Sequence, residues 1–206
     1  MTDNLLDPRR TIVFAGDSVT DCGRRTDPAG LGDGYVKNLY DALPGPAIVN
    51  AGISGHRAVD LVARWETDVL AHAPDLVSIL VGINDTWRRY DEDDPTSAES
   101  FEASYRKLLD PLRQTRLVLV EPFLVPVDDE QHGWREDLDP KLEVVRRLAT
   151  EYGALLVPAD TEFNALAAEV GPETLADDGV HPTAAGHRLL ADLWQRTLTN
   201  AEKVLL

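Results

Sequence analysis

The sequence predicts an α/β domain of three layers, α/β/α, with a five-stranded parallel sheet of the flavodoxin-like kind. Short apolar runs rich in Val, Ile and Leu alternate along the chain with longer stretches in which apolar residues recur at helical spacing. Parallel neighbours need a crossover of about a dozen residues or more, and a helix supplies it. Because no repeat, low-complexity tract or linker breaks this alternation, one domain is expected over residues 1–206.

The first predicted strand ends in a polar corner. Its apolar run begins at Thr11 and stops at Gly16, and Asp17 and Ser18 follow directly. Ligands of open parallel sheets bind at the carboxyl ends of the strands, so Ser18 is expected at a functional edge. The alternative is that Asp17 and Ser18 only form a turn or cap a helix.

The other strands are predicted from short β-branched or leucine-rich runs that end near turn or helix signals. They lie at residues 47–50, 75–81, 116–120 and 154–157. If the strand order is 2-1-3-4-5, the first three strands are neighbours and their exit loops meet at one switch point. This order predicts that Ser18, Gly52 and Asn84 lie close together.

Helices are predicted wherever apolar residues recur at helical spacing, and Pro or Gly ends several of them. They lie at residues 33–43, 59–71, 97–112, 141–152, 161–170 and 183–204. Residues 91–95 form an acidic run that we expect to be a solvated loop. Residues 123–139 are interrupted by Pro126 and Gly133 and are predicted to be an extended loop, a kind of segment that is often functional.

The charge and the cysteine content exclude several classes of protein. A net charge of −16 and a pI near 4.6 argue against a nucleic acid or an anionic membrane as partner and favour a small neutral substrate, although acidity also serves solubility alone. Cys22 is the only cysteine, so no intramolecular disulfide can form. The sequence has no secretory h-region and no apolar run approaching about 18 residues, so a cytoplasmic location is expected.

A serine nucleophile needs a base, and five histidines are available. Asp178 precedes His181 by three residues in a predicted loop. That spacing lets one carboxylate orient one ring nitrogen while the other nitrogen faces outward. Capping or packing in a helix explains His72 and His187. His56 and His132 lie in predicted loops and remain candidate contacts.

Acyl transfer also needs hydrogen-bond donors for the developing oxyanion. The backbone N–H groups of Ser18 and Gly52 and the side-chain amide of Asn84 would form such a set. An Asx-turn would also explain Asn84, and a strand exit with positive φ would also explain Gly52. Ser54 is a rival nucleophile, but it lacks the Gly two positions later that a Gly-x-Ser-x-Gly elbow requires.

Four segments together resemble the sequence blocks of the SGNH (GDSL-type) hydrolases, in order and at suitable separations. They are Gly16-Asp17-Ser18, Asn50-Ala51-Gly52-Ile53-Ser54-Gly55, Gly82-Ile83-Asn84-Asp85 and Asp178-x-x-His181-Pro182. Within that family, four runs are similar to those of bacterial intracellular acetylxylan esterases: residues 17–24, 32–36, 63–66 and 82–88. The joint pattern spans most of the chain.

The resemblance implies an SGNH hydrolase fold and a serine esterase that removes acetyl groups from xylo-oligosaccharides. It implies Ser18 as nucleophile, His181 as general base and then acid, and Asp178 as the partner of His181. Ser18, Gly52 and Asn84 would form the oxyanion hole. No metal or organic cofactor is implied, and a homo-oligomer is expected from this branch of the family.

Substrate selection is expected to depend on residues outside the triad. The candidate substrate contacts are polar or aromatic residues near the predicted site: Asp17, Trp87, Arg88, Tyr90 and Trp134. Aromatic rings suit the faces of sugars, although ordinary packing explains them equally well. The same triad would serve a broad short-chain esterase, a thioesterase or a lysophospholipase.

Two other classes of protein remain open at this point. A phospho-acceptor signalling domain of this fold would use Asp17 and Asp85, but it needs a Lys after the fifth strand, where this chain has Pro158-Ala159-Asp160. A metal-dependent phosphoesterase would use four side chains as ligands: Asp17, Asp85, Asp178 and His181. A chelator would stop such an enzyme and leave a serine esterase active.

Overall fold

The computed structural model describes residues 7–204, with side chains up to residue 201. Over that range, five strands form one parallel sheet in the order β2-β1-β3-β4-β5, as predicted. The strands are β1 (Thr11–Gly16), β2 (Ala47–Gly52), β3 (Leu76–Leu80), β4 (Arg116–Val120) and β5 (Leu155–Val157). Gly16 lies opposite both Gly52 and Leu80, so the exit loops of the first three strands start at one level.

Helices cover both faces of the sheet. They are α1 (Ser18–Asp21), α2 (Tyr35–Ala42), α3 (Ala58–Asp68), α4 (Ile83–Asp91), α5 (Ala98–Leu109), α6 (Asp129–Gly133), α7 (Arg135–Tyr152), α8 (Ala159–Val170) and α9 (Ala184–Val204). Helices α2, α8 and α9 pack on one face and α3, α5 and α7 on the other, which is the predicted three-layer arrangement. Over the described part of the chain, no helix has both the length and the apolar character needed to cross a membrane.

Alternate side chains of β1 supply the cores on the two faces of the sheet. Phe14 packs against α9, where its ring centroid lies 5.4 Å from that of Trp194. Val13 belongs to the opposite core together with Trp65 of α3. Trp194 Nε1 donates a hydrogen bond to Ser78 Oγ on β3 at 3.0 Å, so the polar group of this fully buried ring is paired. These contacts fix the helices to the sheet whose carboxyl edge carries the site.

The extended loop predicted at residues 123–139 is partly wrong. Asp128 accepts a backbone N–H at 2.8 Å and thereby caps the short helix α6, and α7 follows directly. Pro140 lies inside α7, where a proline typically costs about 3 kcal/mol or more. The helix persists because burial of Leu138 and Leu142 offsets that cost. Tertiary packing here outweighs the local breaker signals.

Two helices at the carboxyl edge of the sheet have no counterpart in the sequence prediction. Helix α1 is a single turn, and the Asp17 side chain caps it by accepting the Val19 N–H at 3.1 Å. Helix α4 begins directly after Gly82, whose φ of 140° is a conformation that L side chains rarely adopt. Both helices begin within three residues of a strand end, so the helical spacing of apolar residues does not distinguish them from the strand that precedes them. They place Ser18 and Asn84 in the first turn of a helix.

Candidate active site

The cavity at the carboxyl edge of the sheet has a volume of about 450 Å³. Ser18 reaches it from the first turn of α1, and Asn84 reaches it from the first turn of α4. His181 reaches it from the loop that precedes α9. The structure thus brings together three side chains that lie far apart in the sequence.

Ser18, His181 and Asp178 are joined in series by hydrogen bonds. Ser18 Oγ lies 2.9 Å from His181 Nε2, and His181 Nδ1 lies 2.6 Å from Asp178 Oδ2. The other Asp178 oxygen accepts the backbone N–H of Val180 at 2.9 Å and that of His181 at 2.7 Å. Gly179 has a φ of 82°, which allows the loop to turn between the carboxylate and the imidazole. The carboxylate orients one ring nitrogen and leaves the other facing Ser18.

The two ionisable partners shift each other's pKa in opposite directions. Desolvation opposes ionisation of Asp178, but hydrogen bonds from the His181 side chain and from two backbone N–H groups outweigh it and hold the pKa at about 2. The hydrogen bond to Asp178 raises the pKa of His181 above its usual 6.5, although desolvation acts against this rise. The carboxylate is therefore ionised at neutral pH and favours an imidazolium on His181. A base that takes a serine proton needs such a partner.

The donors near Ser18 differ from the predicted oxyanion set at one position. Asn84 Nδ2 donates one hydrogen to the His56 carbonyl at 3.1 Å, which leaves its second hydrogen free for the cavity. The Gly52 N–H already donates to Asn50 Oδ1 at 2.9 Å. A Cβ atom at Gly52 would lie 2.2 Å from the Asp21 backbone nitrogen, so this glycine packs against α1. This geometry contradicts Gly52 as an oxyanion donor.

Gly55, and not Gly52, lies beside Ser18 and Asn84 in the structure. It lines the cavity together with Ser18 and Asn84. Among the described residues, its backbone N–H has no hydrogen-bond partner. The motif Asn-Ala-Gly-Ile-Ser-Gly contains both glycines, and spacing alone does not tell which N–H faces the cavity.

Asp17 and Ser54 have structural partners. The Asp17 side chain is 1% exposed, caps α1 and does not line the cavity. Burial raises the pKa of Asp17 to about 7. The structure therefore contradicts Asp17 as a direct substrate contact. Ser54 lines the cavity, but its hydroxyl donates to Asp21 Oδ2 at 3.0 Å and not to a histidine, which does not support it as nucleophile.

The aromatic candidates form a row that leads away from His181. The ring centroid of Trp87 lies 5.9 Å from that of His181 and 5.6 Å from that of Trp134, and Tyr90 stacks on Trp134 at 5.1 Å. Trp87 and Arg88 line the cavity, whereas Trp134 and Tyr90 do not. Trp134 is 5% exposed and supports Trp87 by packing. Trp87 and Arg88 are thus the candidates that remain as substrate contacts.

Cys22 and His187 also line the cavity, which the sequence analysis did not predict. Cys22 Sγ lies 3.1 Å from Asp33 Oδ1 and 3.3 Å from His187 Nε2, and His187 Nδ1 accepts the Tyr35 N–H at 3.2 Å. Burial raises the pKa of Cys22 to about 12 and lowers that of His187 to about 4, so both side chains are neutral at neutral pH. The four-residue step from Ser18 to Cys22 is the one sequence signal for this placement.

The structure does not favour the two other classes of function. Asp17 and Asp85 are each 1% exposed, so neither carboxylate is accessible to a phosphoryl donor. Within the described residues, no group of three or more His, Cys, Asp or Glu side chains is arranged to hold a metal ion. The four ligands considered for a phosphoesterase, all of which are described, therefore form no metal-binding cluster.

A serine, a histidine and an aspartate that are hydrogen-bonded in series at the carboxyl edge of a parallel sheet define a serine hydrolase of α/β fold. The chain belongs to the GDSL-like lipase/acylhydrolase family, whose model matches residues 14–189. It is accordingly a serine hydrolase of carboxylic esters.

Proteins similar to this chain agree with that class. Over 205 residues the chain is 39% identical to an acetylxylan esterase from Geobacillus stearothermophilus, covering 91% of this chain and 93% of the relative. A crystal structure of an acetylxylan esterase from that organism matches with a TM-score of 0.84 at 37% identity, over 94% of this chain and 96% of that one. Solved catalytic mutants of that esterase replace a serine, a histidine or an aspartate by alanine. A thioesterase 1/protease 1/lysophospholipase L1 from Escherichia coli is 23% identical, covering 91% of this chain and 83% of the relative.

Proposed function

We propose that this enzyme removes O-acetyl groups from xylo-oligosaccharide-like carbohydrates through an acyl-enzyme. The observation that carries the proposal is the hydrogen-bonded series from Ser18 through His181 to Asp178 beside the cavity. The 39% identity to an acetylxylan esterase supports the substrate class. Trp87 supports it as well, because an aromatic ring beside the base can pack against the face of a sugar.

In the first half of the proposed reaction, Ser18 Oγ attacks the carbonyl carbon of the acetyl group while His181 Nε2 takes the hydroxyl proton. Asp178 stabilises the imidazolium that forms. The tetrahedral intermediate then collapses as the bond between the acetyl carbon and the sugar oxygen breaks. His181 gives its proton to that oxygen, and the acetyl group stays on Ser18.

In the second half, water releases acetate from the acyl-enzyme. His181 takes a proton from a water molecule as its oxygen attacks the acetyl carbon. The second tetrahedral intermediate collapses with cleavage of the bond to Ser18 Oγ, which regains its proton from His181. The residues return to their starting state.

We assign the oxyanion to three donors: the backbone N–H groups of Ser18 and Gly55 and the side-chain amide of Asn84. All three residues line the cavity. Ser18 is the first residue of α1, and backbone N–H groups in the first turn of a helix are unpaired within the helix. Such preorganised donors stabilise the charge that develops only in the transition state.

Replacing Asn84 with alanine is expected to lower kcat about 10²- to 10³-fold with little change in KM, because the amide binds the oxyanion and not the ground-state ester. Steady-state kinetics on p-nitrophenyl acetate measures both constants. Asn164→Ala is the matched control, because that amide donates to the Leu124 carbonyl at 3.0 Å and does not line the cavity. An Asn84→Ala enzyme with a raised KM and normal kcat would argue against an oxyanion role.

The substrate is tested by measuring acetate release from acetylated xylo-oligosaccharide beside p-nitrophenyl esters of short and long acyl chains, with wild type and Ser18→Ala. Rapid, Ser18-dependent acetate release with little long-chain activity would support the proposal. A preference for long acyl chains would favour a thioesterase or lysophospholipase, the activities in the name of the 23% identical relative. Similar rates on every short ester would favour a broad esterase, and inhibition by a chelator would favour a metal-dependent enzyme.

Replacing Trp87 with alanine is expected to raise KM for acetylated xylo-oligosaccharide about tenfold, which corresponds to the loss of about 1.4 kcal/mol of ring packing. The kinetics on ethyl acetate, which has no sugar, should change little. Tyr40→Ala is the control, because Tyr40 is a 49% exposed aromatic residue that does not line the cavity. Equal losses on both esters would show that Trp87 supports the site and does not select the sugar.

We further propose that the enzyme is cytoplasmic and forms a homo-oligomer. It acts without a nucleic acid, a membrane or a cofactor. The net charge of −16 and the single free cysteine, Cys22, support the location and the absence of a polyanionic partner. Light scattering on the purified protein tests the assembly.

A further inference from the structure

Arg64 of α3 is a largely buried arginine that bonds to two strand ends at the site. Its side chain is 12% exposed. Nη2 donates to the Gly16 carbonyl at 3.1 Å, at the end of β1, and Nη1 donates to the Ala51 carbonyl at 2.7 Å, near the end of β2. Gly16 also accepts the Ile53 N–H at 3.1 Å. One guanidinium therefore ties the strand that leads to Ser18 to the loop that contains Gly55.

A further hydrogen bond extends this network to Asn84. Arg64 Nε donates to His56 Nδ1 at 3.1 Å, and the His56 carbonyl accepts Asn84 Nδ2 at 3.1 Å. Because His56 Nδ1 is an acceptor, the ring proton lies on Nε2. Burial and the Arg64 charge lower the pKa of His56, which keeps the ring neutral at neutral pH. His56 directly follows Gly55, so Arg64 acts on both remaining oxyanion donors through one residue.

The arrangement of acceptors around Arg64 suits a guanidinium and no other side chain. Asp68 Oδ2, one helical turn away, accepts a hydrogen bond from Arg64 Nη1 at 3.0 Å, and its carboxylate balances the guanidinium charge. The other acceptors are two backbone carbonyls and a neutral imidazole, each on a different segment. A guanidinium presents five donors in a fixed plane, whereas a lysine ammonium is a point charge that cannot meet all these directions.

We propose that Arg64 is a positioning residue for ester hydrolysis, which holds the segments carrying Ser18, Gly55 and Asn84 at the spacing that the transition state needs. The inference rests on the proposed function of those three residues. Oxyanion donors act only within about 2.7–3.1 Å of the oxyanion, and a misplacement of about 1 Å can cost roughly 10²-fold in rate. Arg64 does not line the cavity, so it acts through these segments and not on the substrate.

The test measures kcat and KM for p-nitrophenyl acetate in variants of Arg64. Arg64→Met keeps the apolar stem and removes every donor, so we expect kcat to fall about 10²-fold while KM changes by less than about threefold. Arg64→Lys should stay at least about tenfold below wild type, because an ammonium cannot replace the planar fork. Millimolar guanidinium should restore part of kcat in Arg64→Ala and leave the wild type unchanged.

Arg106→Met is the matched control for the loss of a paired arginine. Arg106 pairs with Glu102 and Glu151 on the helical layer, and its side chain is 32% exposed. We expect Arg106→Met to lower Tm with no change in the activity of the folded enzyme. If Arg64→Met behaves in the same way, or raises KM at unchanged kcat, the positioning role is refuted. If Arg64→Met does not fold, Arg64→Lys decides, and wild-type kcat in that variant would overturn the proposal.

This test separates the inference from the proposed function. An enzyme that hydrolyses p-nitrophenyl acetate but not acetylated xylo-oligosaccharide would change the assigned substrate and leave the Arg64 result valid. Wild-type hydrolysis by Ser18→Ala would refute both, because Arg64 would then have no nucleophile to position. Full activity of the Arg64→Lys variant, in which Ser18 is unchanged, would refute only the role of Arg64.

Discussion

Replacing Ser18 with alanine is expected to lower ester hydrolysis by about 10⁴- to 10⁶-fold, because the enzyme loses the atom that forms the acyl-enzyme. The hydroxyl is partly exposed and its side-chain partner is His181 Nε2 at 2.9 Å, so its removal leaves no buried donor without a partner. We therefore expect an unchanged Tm and an unchanged circular dichroism spectrum. A p-nitrophenyl acetate assay, accompanied by a check that the preparation contains no contaminating esterase, measures the loss.

Ser54→Ala is the matched control for this loss. Ser54 lines the same cavity, but its hydroxyl donates to Asp21 and not to His181. Activity of the same order as wild type is expected from that variant. The reverse pattern, with activity lost in Ser54→Ala and kept in Ser18→Ala, would reassign the nucleophile.

Replacing Asp178 with asparagine is expected to lower kcat about 10³- to 10⁴-fold and to move the acid limb of the pH profile to lower pH. His181 must be neutral to take the Ser18 proton, so activity falls as pH drops through its pKa. Asp178 raises that pKa above 6.5 in the wild type. Without the carboxylate the pKa of His181 decreases, and the residual activity persists to lower pH. Profiles of kcat/KM against pH for both enzymes measure the shift.

Asp177→Asn is the control for general charge removal next to the site. Asp177 is exposed, and its charge raises the pKa of His181 only weakly compared with the hydrogen-bonded Asp178. We expect a small shift of the acid limb in the same direction and little loss of rate. An acid limb that is identical in wild type and Asp178→Asn would mean that another group, such as Asp17 with a pKa of about 7, governs the profile.

The parallel sheet and the His181 partner could be derived from the sequence because both depend on short-range patterns. Strands buried between two helical layers must be apolar on both faces, so each appears as a continuous apolar run. Asp178 and His181 lie within one turn of the chain, and they follow the fifth strand by a helix and a loop. Their spacing together with that position predicts the contact that joins Nδ1 to Oδ2 at 2.6 Å. The position of Ser18 at a strand end follows from the abrupt stop at Gly16.

The choice between Gly52 and Gly55 beside the cavity could not be derived in that way. Gly52 and Gly55 stand in one short motif, and the choice between them depends on Asn50. Its Oδ1 accepts the Gly52 N–H at 2.9 Å, while its Nδ2 donates to the carbonyls of Thr20 at 2.7 Å and Leu31 at 2.8 Å. Those carbonyls belong to other segments, so no local spacing encodes the choice.

The amino-acid pattern alone was sufficient for the alternation of strands and helices, for the resemblance to a serine hydrolase family and for the candidate series of Ser18, His181 and Asp178, since these depend on local periodicity and on motifs only a few residues long. The strand order 2-1-3-4-5 was an assumption from the fold class, and the pairing of the strands in the structure confirmed it. Folding in three dimensions settled the rest: Asp17 became a buried cap, Gly55 replaced Gly52 beside the cavity, and Arg64 joined the strand ends. Each of these outcomes depends on hydrogen bonds and burial between segments that are distant in sequence, and only the packed chain brings such groups within bonding distance.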